Sequence, residues 1–275
     1  MQLDHIVIAV HDLQRTVADY QALGFTVTPG GQHPGRTSHN ALVVFADGAY
    51  LELIAWQAPA PQERWWRDLQ QFGDGPVDFA LLPADVVAAT KAARASGLEL
   101  SGPLDGSRKQ PDGAELKWQT ARHATPDVPF LCADITPRSW RVPEGVARQH
   151  ANGVTGVSSL SVAVADLGVT LPRYEALLGP AAVIGIPFVM PGSGLRIAQM
   201  QIDGLSLVLA EGVGELQATG ALGHCLDTRG QGPCAFSLVA PDRTPRTLTA
   251  GLSHGAVIET LANEARAVAR GIAPA

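Results

Sequence analysis

"DHIVIAVHDLQRTVADYQALGF", residues 4–25, and "SSLSVAVADLGVTLPRYEALLGP", residues 158–180, are two versions of one phrase. Asp12 falls on Asp166, Leu13 on Leu167 and Tyr20 on Tyr174, each at an offset of 154. Further on, "DGAYLELIA" (47–55) matches "DGLSLVLAE" (203–211) at an offset of 156, so only two residues were gained between the anchors. Agreement over that length marks a duplicated structural unit.

Each copy reads as a strand, a helix and three more strands. The first strand is the apolar run ending at Val10. Asp12 offers a helix start, and Val17, Tyr20 and Leu23 recur at helical spacing before the stop at Gly24. "FTVT", "HNALVVF" and "YLELIAW" then follow as β-rich runs, separated by Pro29, Gly30-Gly31 and the Asp47-Gly48 turn. Between the copies, a strand at 77–82, an alanine-rich helix at 84–96 and the runs "LELSG", "AELKWQT" and "VPFLCADI" form a second, diverged unit, with a turn at Pro111-Asp112-Gly113. "CAFSLVAP" begins a shortened fourth unit, with a last helix expected around 258–270. The fold class is α+β, built from repeated βαβββ units.

A chain of 275 residues with 46% hydrophobic content can bury two medium cores, so two domains are expected. They are an N-terminal half over 1–140 and a C-terminal half over 157–275, joined by a linker at 141–156. The 20 basic and 26 acidic residues give a formal charge of -6 with no basic block, which argues against a nucleic-acid partner. Cys132, Cys225 and Cys234 have no metal-site or disulfide spacing and suit a reducing compartment. Met1 leads directly into a strand-like run without the pattern of a signal peptide, and no apolar stretch reaches the roughly 18 residues that would span a bilayer. A soluble, cytoplasmic protein without a membrane partner is the expectation. No nucleophile elbow, Walker motif or dinucleotide glycine motif is present.

Two side chains stand out against the apolar strands: His5 in "LDHIVIAV" and Glu52 in "YLELIA". Strand side chains alternate, so Glu52 shares a face with Tyr50 and Ile54 while Leu51 and Leu53 point the other way. Both faces are largely apolar. An ionised carboxylate there costs several kcal/mol, roughly, unless a cation or dense hydrogen bonding compensates it. Imidazole and carboxylate together suit zinc, iron, manganese, cobalt or nickel. The alternative is that Glu52 pairs with an arginine such as Arg36 and His5 bonds a backbone carbonyl.

On "LDHIVIAVHDL", "SHNALVVFADGAYLELIA", "RKQPDGAELKW", "VPF" and "HANGV", the chain resembles the vicinal oxygen chelate superfamily, most closely its glyoxalase-like branch, over about residues 3–178. That resemblance implies paired βαβββ units curled into partly open mixed-sheet barrels, with a divalent metal in the concave face. It also implies one metal ligand on the first strand of a unit and one on the last, the positions of His5 and Glu52. His39 is the leading candidate for a third ligand by proximity, ahead of His33. Asp78 stands at the first-strand position of the second unit. In the third unit those positions are Ser159 and Val208, so the C-terminal half lacks the ligand pair.

The resemblance implies a small-molecule metalloenzyme, a lyase, isomerase or dioxygenase, whose metal polarises a carbonyl or stabilises an enolate. Glu52 would act as ligand, or as ligand and base in turn. Arg108 and Trp118 offer a cation beside an aromatic wall for an anionic or carbonyl substrate; a plain hairpin with Trp118 in the core is the other reading. A metal-free protein that sequesters a hydrophobic metabolite or antibiotic is the alternative function, and the fold allows a homodimer.

Overall fold

The computed structural model describes residues 1–109, 113–213, 220–240 and 245–262. The chain begins with β1 (Gln2–Ala9), and α1 (Leu13–Ala22) follows where the Asp12 carboxylate accepts from the Arg15 N–H at 3.0 Å. Such a cap satisfies one of the amides a helix start leaves unpaired. The first half continues with β2 (Thr28–Gln32), β3 (Ser38–Val44), β4 (Tyr50–Trp56) and a connecting helix α2 (Arg64–Phe72). Its second unit is β5 (Gly75–Leu82), α3 (Val86–Ala95), β6 (Ser101–Lys109), β7 (Glu115–Arg122) and β8 (Phe130–Asp134). These eight strands form one mixed sheet in the order β2-β3-β4-β1-β5-β8-β7-β6, which curls around a cavity.

A short helix α4 (Arg138–Arg141) and a 3-10 turn lead to the second sheet. It holds β9 (Gly156–Ala163), α5 (Leu167–Leu178), β10 (Phe188–Met190), β11 (Leu195–Ile202), β12 (Leu205–Gly212), α6 (Gly220–Arg229), β13 (Gly232–Val239), β14 (Arg246–Thr247) and β15 (Val257–Leu261). The strand order, β10-β11-β12-β9-β13-β15-β14, repeats the first sheet except for its shortened edge. This is the α+β architecture of paired βαβββ units.

Two elements differ from expectation. The strand after α1 lies at 28–32, not 25–28, so the presumed breakers Pro29, Gly30 and Gly31 sit inside it. β2 is an edge strand, where a missing proline N–H is tolerated, and Gly30 forms a bulge between Pro29↔Ala41 and Gly31↔Asn40. A Cβ at Gly30 would sit 1.9 Å from Asn40 Oδ1, so only glycine fits. Residues 257–261 form a strand paired parallel to β13 where a helix was expected. Their β-rich run "VIETL" completes the sheet, and the rest of the expected helix lies outside the described residues.

One irregularity recurs in all four units. Along β1 and β5 the pairing runs Leu3↔Leu81 and then His5↔Ala80, which leaves Asp4 as an extra residue, and Val77 is extra on β5. Between β9 and β13 the extra residues are Ser158 and Cys234. Every first strand therefore bulges at the same place, immediately before His5, Asp78, Ser159 and Ala235. A bulge re-aims the side chains beside it, and this one shapes the site.

The main core unites both halves. Leu3, Ile6 and Ile8 of β1 pack with Leu160 and Val162 of β9 and with Tyr20 and Tyr174, the fully buried tyrosines of α1 and α5. Polar ties close the seam. Asp127 accepts from Thr170 Oγ1 at 2.8 Å and from Arg173 at 2.7 Å, and the Tyr174 hydroxyl donates to its carbonyl. Arg229 caps the carbonyls of Phe72, Gly73, Asp74 and Pro76. His150 in the linker bonds the Val44 carbonyl at 3.1 Å and accepts from the Thr26 N–H at 3.0 Å, which fixes the linker to the first sheet.

Candidate active site

The concave face of the first sheet encloses a cavity of about 670 Å³, within the range of small-molecule sites. His5 and Glu52 meet on its wall because β1 and β4 run parallel with His5 opposite Tyr50 and Val7 opposite Glu52. His5 Nε2 lies 3.4 Å from Glu52 Oε2, and both side chains are buried. Asn40 Nδ2 donates to Glu52 Oε1 at 2.6 Å, while Asn40 Oδ1 is a buried oxygen without a hydrogen-bond partner.

Behind His5 stands Asp4, whose Oδ2 is 2.7 Å from His5 Nδ1. Strict alternation would put neighbours on opposite faces. The bulge brings both to the concave side, so that Leu3 and Ile6, three residues apart, share the core. Asp4 in turn accepts from Arg138 Nη1 at 2.5 Å and from Arg141 at 2.9 and 3.1 Å. Arg141 also donates to the Tyr50 hydroxyl at 2.6 Å, and the Tyr50 ring stacks on His5 at 4.6 Å.

This network sets the charges. Burial alone would raise Asp4, but Arg141, His5 and Arg138 hold its carboxyl well below the usual range. Burial would likewise lower His5, but its bonds to Asp4 and Glu52 prevail and raise it. Glu52, against the same burial penalty, is brought from 4.5 to about 2 by His5 and then by His33 and Asn40. The network thus favours the protonated imidazole between two ionised carboxylates.

The structure brings His33, not His39, toward Glu52. Ser38, Asn40 and Leu42 of β3 line the cavity, so His39 between them points away. His33, on the loop after β2, has Nε2 3.9 Å from Glu52 Oε1 and Nδ1 2.9 Å from Ser38 Oγ. Burial lowers its pKa, against the opposing pull of the Glu52 carboxylate. Arg36 pairs with Glu63 at 3.9 Å rather than with Glu52.

Arg108 and Trp118 both face the cavity, from adjacent strands. The Trp118 indole lies against Gly106, where a Cβ would come within 2.5 Å of the ring, so it both packs and lines the wall. Trp65 of α2 also lines it.

On the opposite wall, Asp78 holds the position that corresponds to His5. Its carboxylate is bound by Arg64, by Trp65 Nε1 at 2.9 Å and by Arg122 at 3.4 Å. Arg122 stacks on Phe130, its guanidinium 3.9 Å from the ring centroid, and on Trp65 at 4.5 Å. By strand register Phe130 corresponds to Glu52.

These residues fall short of the donor set for a divalent metal. A 3.4 Å gap between His5 Nε2 and Glu52 Oε2 is close to the roughly 3 Å between neighbouring ligands on bonds of about 2.0–2.2 Å. Among the described residues, however, no group of three His, Cys, Asp or Glu side chains is placed to hold an ion. The second wall offers a carboxylate already bound to two arginines and a phenylalanine. Five arginines line the cavity, and four of them, Arg36, Arg64, Arg122 and Arg141, are ion-paired with carboxylates.

Asp4, Asn40, Arg122 and Arg141 were not singled out by reading the sequence. The one local signal for Asp4 is the break in period two between Leu3 and Ile6. The arginines are brought in from β7 and α4 by long-range pairing.

Among solved structures, a hypothetical protein from Staphylococcus aureus superposes with a TM-score of 0.69 at 14% identity, covering 95% of this chain and 99% of that one. A mutant 4-hydroxymandelate synthase from Streptomyces coelicolor gives 0.63 at 15%, covering 88% and 71%. A xylose isomerase-like TIM barrel/4-hydroxyphenylpyruvate dioxygenase fusion protein gives 0.53 at 17%, covering 88% of this chain and 37% of that one. At such identities the likeness concerns the fold, which is that of the vicinal oxygen chelate superfamily. No curated protein matches the sequence. The glyoxalase-like domain family matches residues 3–178, well over half of the sequence, and the chain belongs to that family.

Proposed function

We propose that the protein is a small-molecule enzyme of the vicinal oxygen chelate type, an isomerase or lyase, that moves a proton at a carbon next to a carbonyl. The observation that carries this reading is the buried His5–Glu52 pair on the cavity wall, with Asp4 fixed behind the imidazole. Glu52 takes the proton from carbon, the electron pair moves onto the carbonyl oxygen, and His5 Nε2–H donates to that oxygen as it becomes an enolate. The two transfers reinforce each other. Glu52 is a weak base while the imidazolium stands beside it, and it becomes stronger as the His5 proton leaves. Asp4 and the Tyr50 ring orient the imidazole through both protonation states.

No step is routed through a metal, because the donors at the site do not assemble a set that would hold one. Metal use is nonetheless common in the superfamily, and elemental analysis of untagged protein tests for it directly. Stoichiometric metal that is lost on His5→Ala and Glu52→Ala would replace this reading with a Lewis-acid one.

The main test is mass spectrometry of a metabolite extract incubated with wild type and with Glu52→Gln, both treated with chelator. A compound consumed by the wild type and spared by the variant is expected. Compounds retained by both proteins and consumed by neither would instead favour a sequestering protein.

A further inference from the structure

We infer that the substrate carries a carboxylate that docks on Arg108, with a flat unsaturated body lying along Trp118. This names the substrate class of the cavity just described and rests on that cavity being the substrate site.

The argument is one of elimination among the cavity arginines. Arg64 and Arg122 are committed to Asp78, Arg141 to Asp4 and Asp134, and Arg36 at the rim to Glu63. Among the described residues, Arg108 alone of these arginines has no side chain within ion-pair or hydrogen-bond distance, although it is only 8% exposed; the Glu52 carboxylate acts on it only from further off. A buried guanidinium without a partner carries a large desolvation cost, and the open space beside it is the cavity itself. Its stem is also held in place. Gly31, at φ +136°, leaves room for it, and a Cβ there would lie 3.0 Å from Arg108 Cδ. A fixed planar fork of N–H donors matches the two oxygens of a carboxylate.

The body of the ligand follows from the walls. Trp118 stands beside Arg108 across the β6–β7 ladder, and His33 meets Trp118 edge-on with ring centroids 6.3 Å apart. A flat ligand can stack there while its far end reaches His5 and Glu52. The site thus separates recognition, by Arg108, from chemistry, by His5 and Glu52.

The test is calorimetric titration of wild type, Arg108→Met, Arg108→Lys and Glu52→Gln with benzoate, 2-naphthoate, their matched amides and phenyl phosphate. The wild type should prefer each carboxylate over its amide by ~30-fold or more. Arg108→Met should abolish that preference and Arg108→Lys should restore part of it, with unchanged thermal unfolding of the lysine variant showing that the fold is intact. Glu52→Gln should bind the carboxylates at least as well as the wild type. Equal binding of acid and amide, no binding of either acid, tighter binding of phenyl phosphate, or a preference that survives in Arg108→Met would overturn the assignment. The two readings fail separately. Carboxylate binding through Arg108 in a protein that consumes no compound would sink the enzymatic reading and leave the anchor; turnover of neutral compounds only would do the reverse.

Discussion

The two halves have one topology and two chemistries. His5↔Tyr50 across β1 and β4 is matched by Ser159↔Ser206 across β9 and β12, so Ser159 stands where His5 does and Val208 where Glu52 does. Even the bulge is shared, with Ser158 in the place of Asp4. The bulge therefore belongs to the architecture, and the charge belongs to the site. The C-terminal concave face keeps a cavity of about 220 Å³ and one carboxylate, Glu259, at the fourth-strand position of the last unit. Among the described residues its lining has neither the histidine nor the arginines. The difference teaches that this fold stands without its polar centre, and that the polar centre of the first half is maintained against its desolvation cost.

Four experiments would sharpen or break that contrast. The largest effect is expected from Glu52→Gln, which should lower turnover about 10³-fold, near 4 kcal/mol in the barrier, and which, by neutralising the carboxylate paired with His5, should also lower stability in denaturant. Next, Asp4→Ala strips a buried carboxylate from Arg138, Arg141 and His5 and should destabilise the protein by about 3 kcal/mol. Its counterpart Ser158→Ala loses one bond to the Ser237 carbonyl and should cost about 1 kcal/mol or less. Equal losses in denaturant melts would refute the view that, at this bulge position, only the first half holds a buried charge.

Third, Asp127→Asn at the seam should cost about 2 kcal/mol. Burial raises the Asp127 pKa, but Thr125, Thr170 and Arg173 together lower it below the usual value. Its contribution is thus full above the unfolded value near pH 4 and fades as pH falls through the lower folded value. A wild-type stability curve that the variant parallels down to about pH 2 would contradict this. The smallest effect is expected from Val208→Glu, at a half-exposed wall, which should cost about 1 kcal/mol or less and confer no ligand binding. Tight binding of a carboxylate or metal by the double variant Ser159→His/Val208→Glu would show that the strand positions suffice without the arginine network.

Much of this was legible in the sequence. The 154- and 156-residue offsets fix the repeat, and period two along "YLELIA" places a carboxylate on a sheet face; that His5 and Glu52 meet is what the family resemblance implies. Proximity to Glu52 in sequence favours His39 as the third partner, but period two along β3 turns it away from the cavity, and the loop path after the bulged β2 brings the more distant His33 inward. Asp4 was missed because alternation assigns it to the far face, and a bulge is a property of the β1–β5 pairing rather than of either strand.

The sequence by itself thus determined the unit and its duplication, because hydrophobic period is local, whereas the pairing of His5 with Glu52 is what the family resemblance implies. The tertiary structure alone decided which charges surround that pair. Asp4, Arg122 and Arg141 come together through sheet order, a bulge and long-range ion pairing, and none of these leaves a periodic trace along the chain.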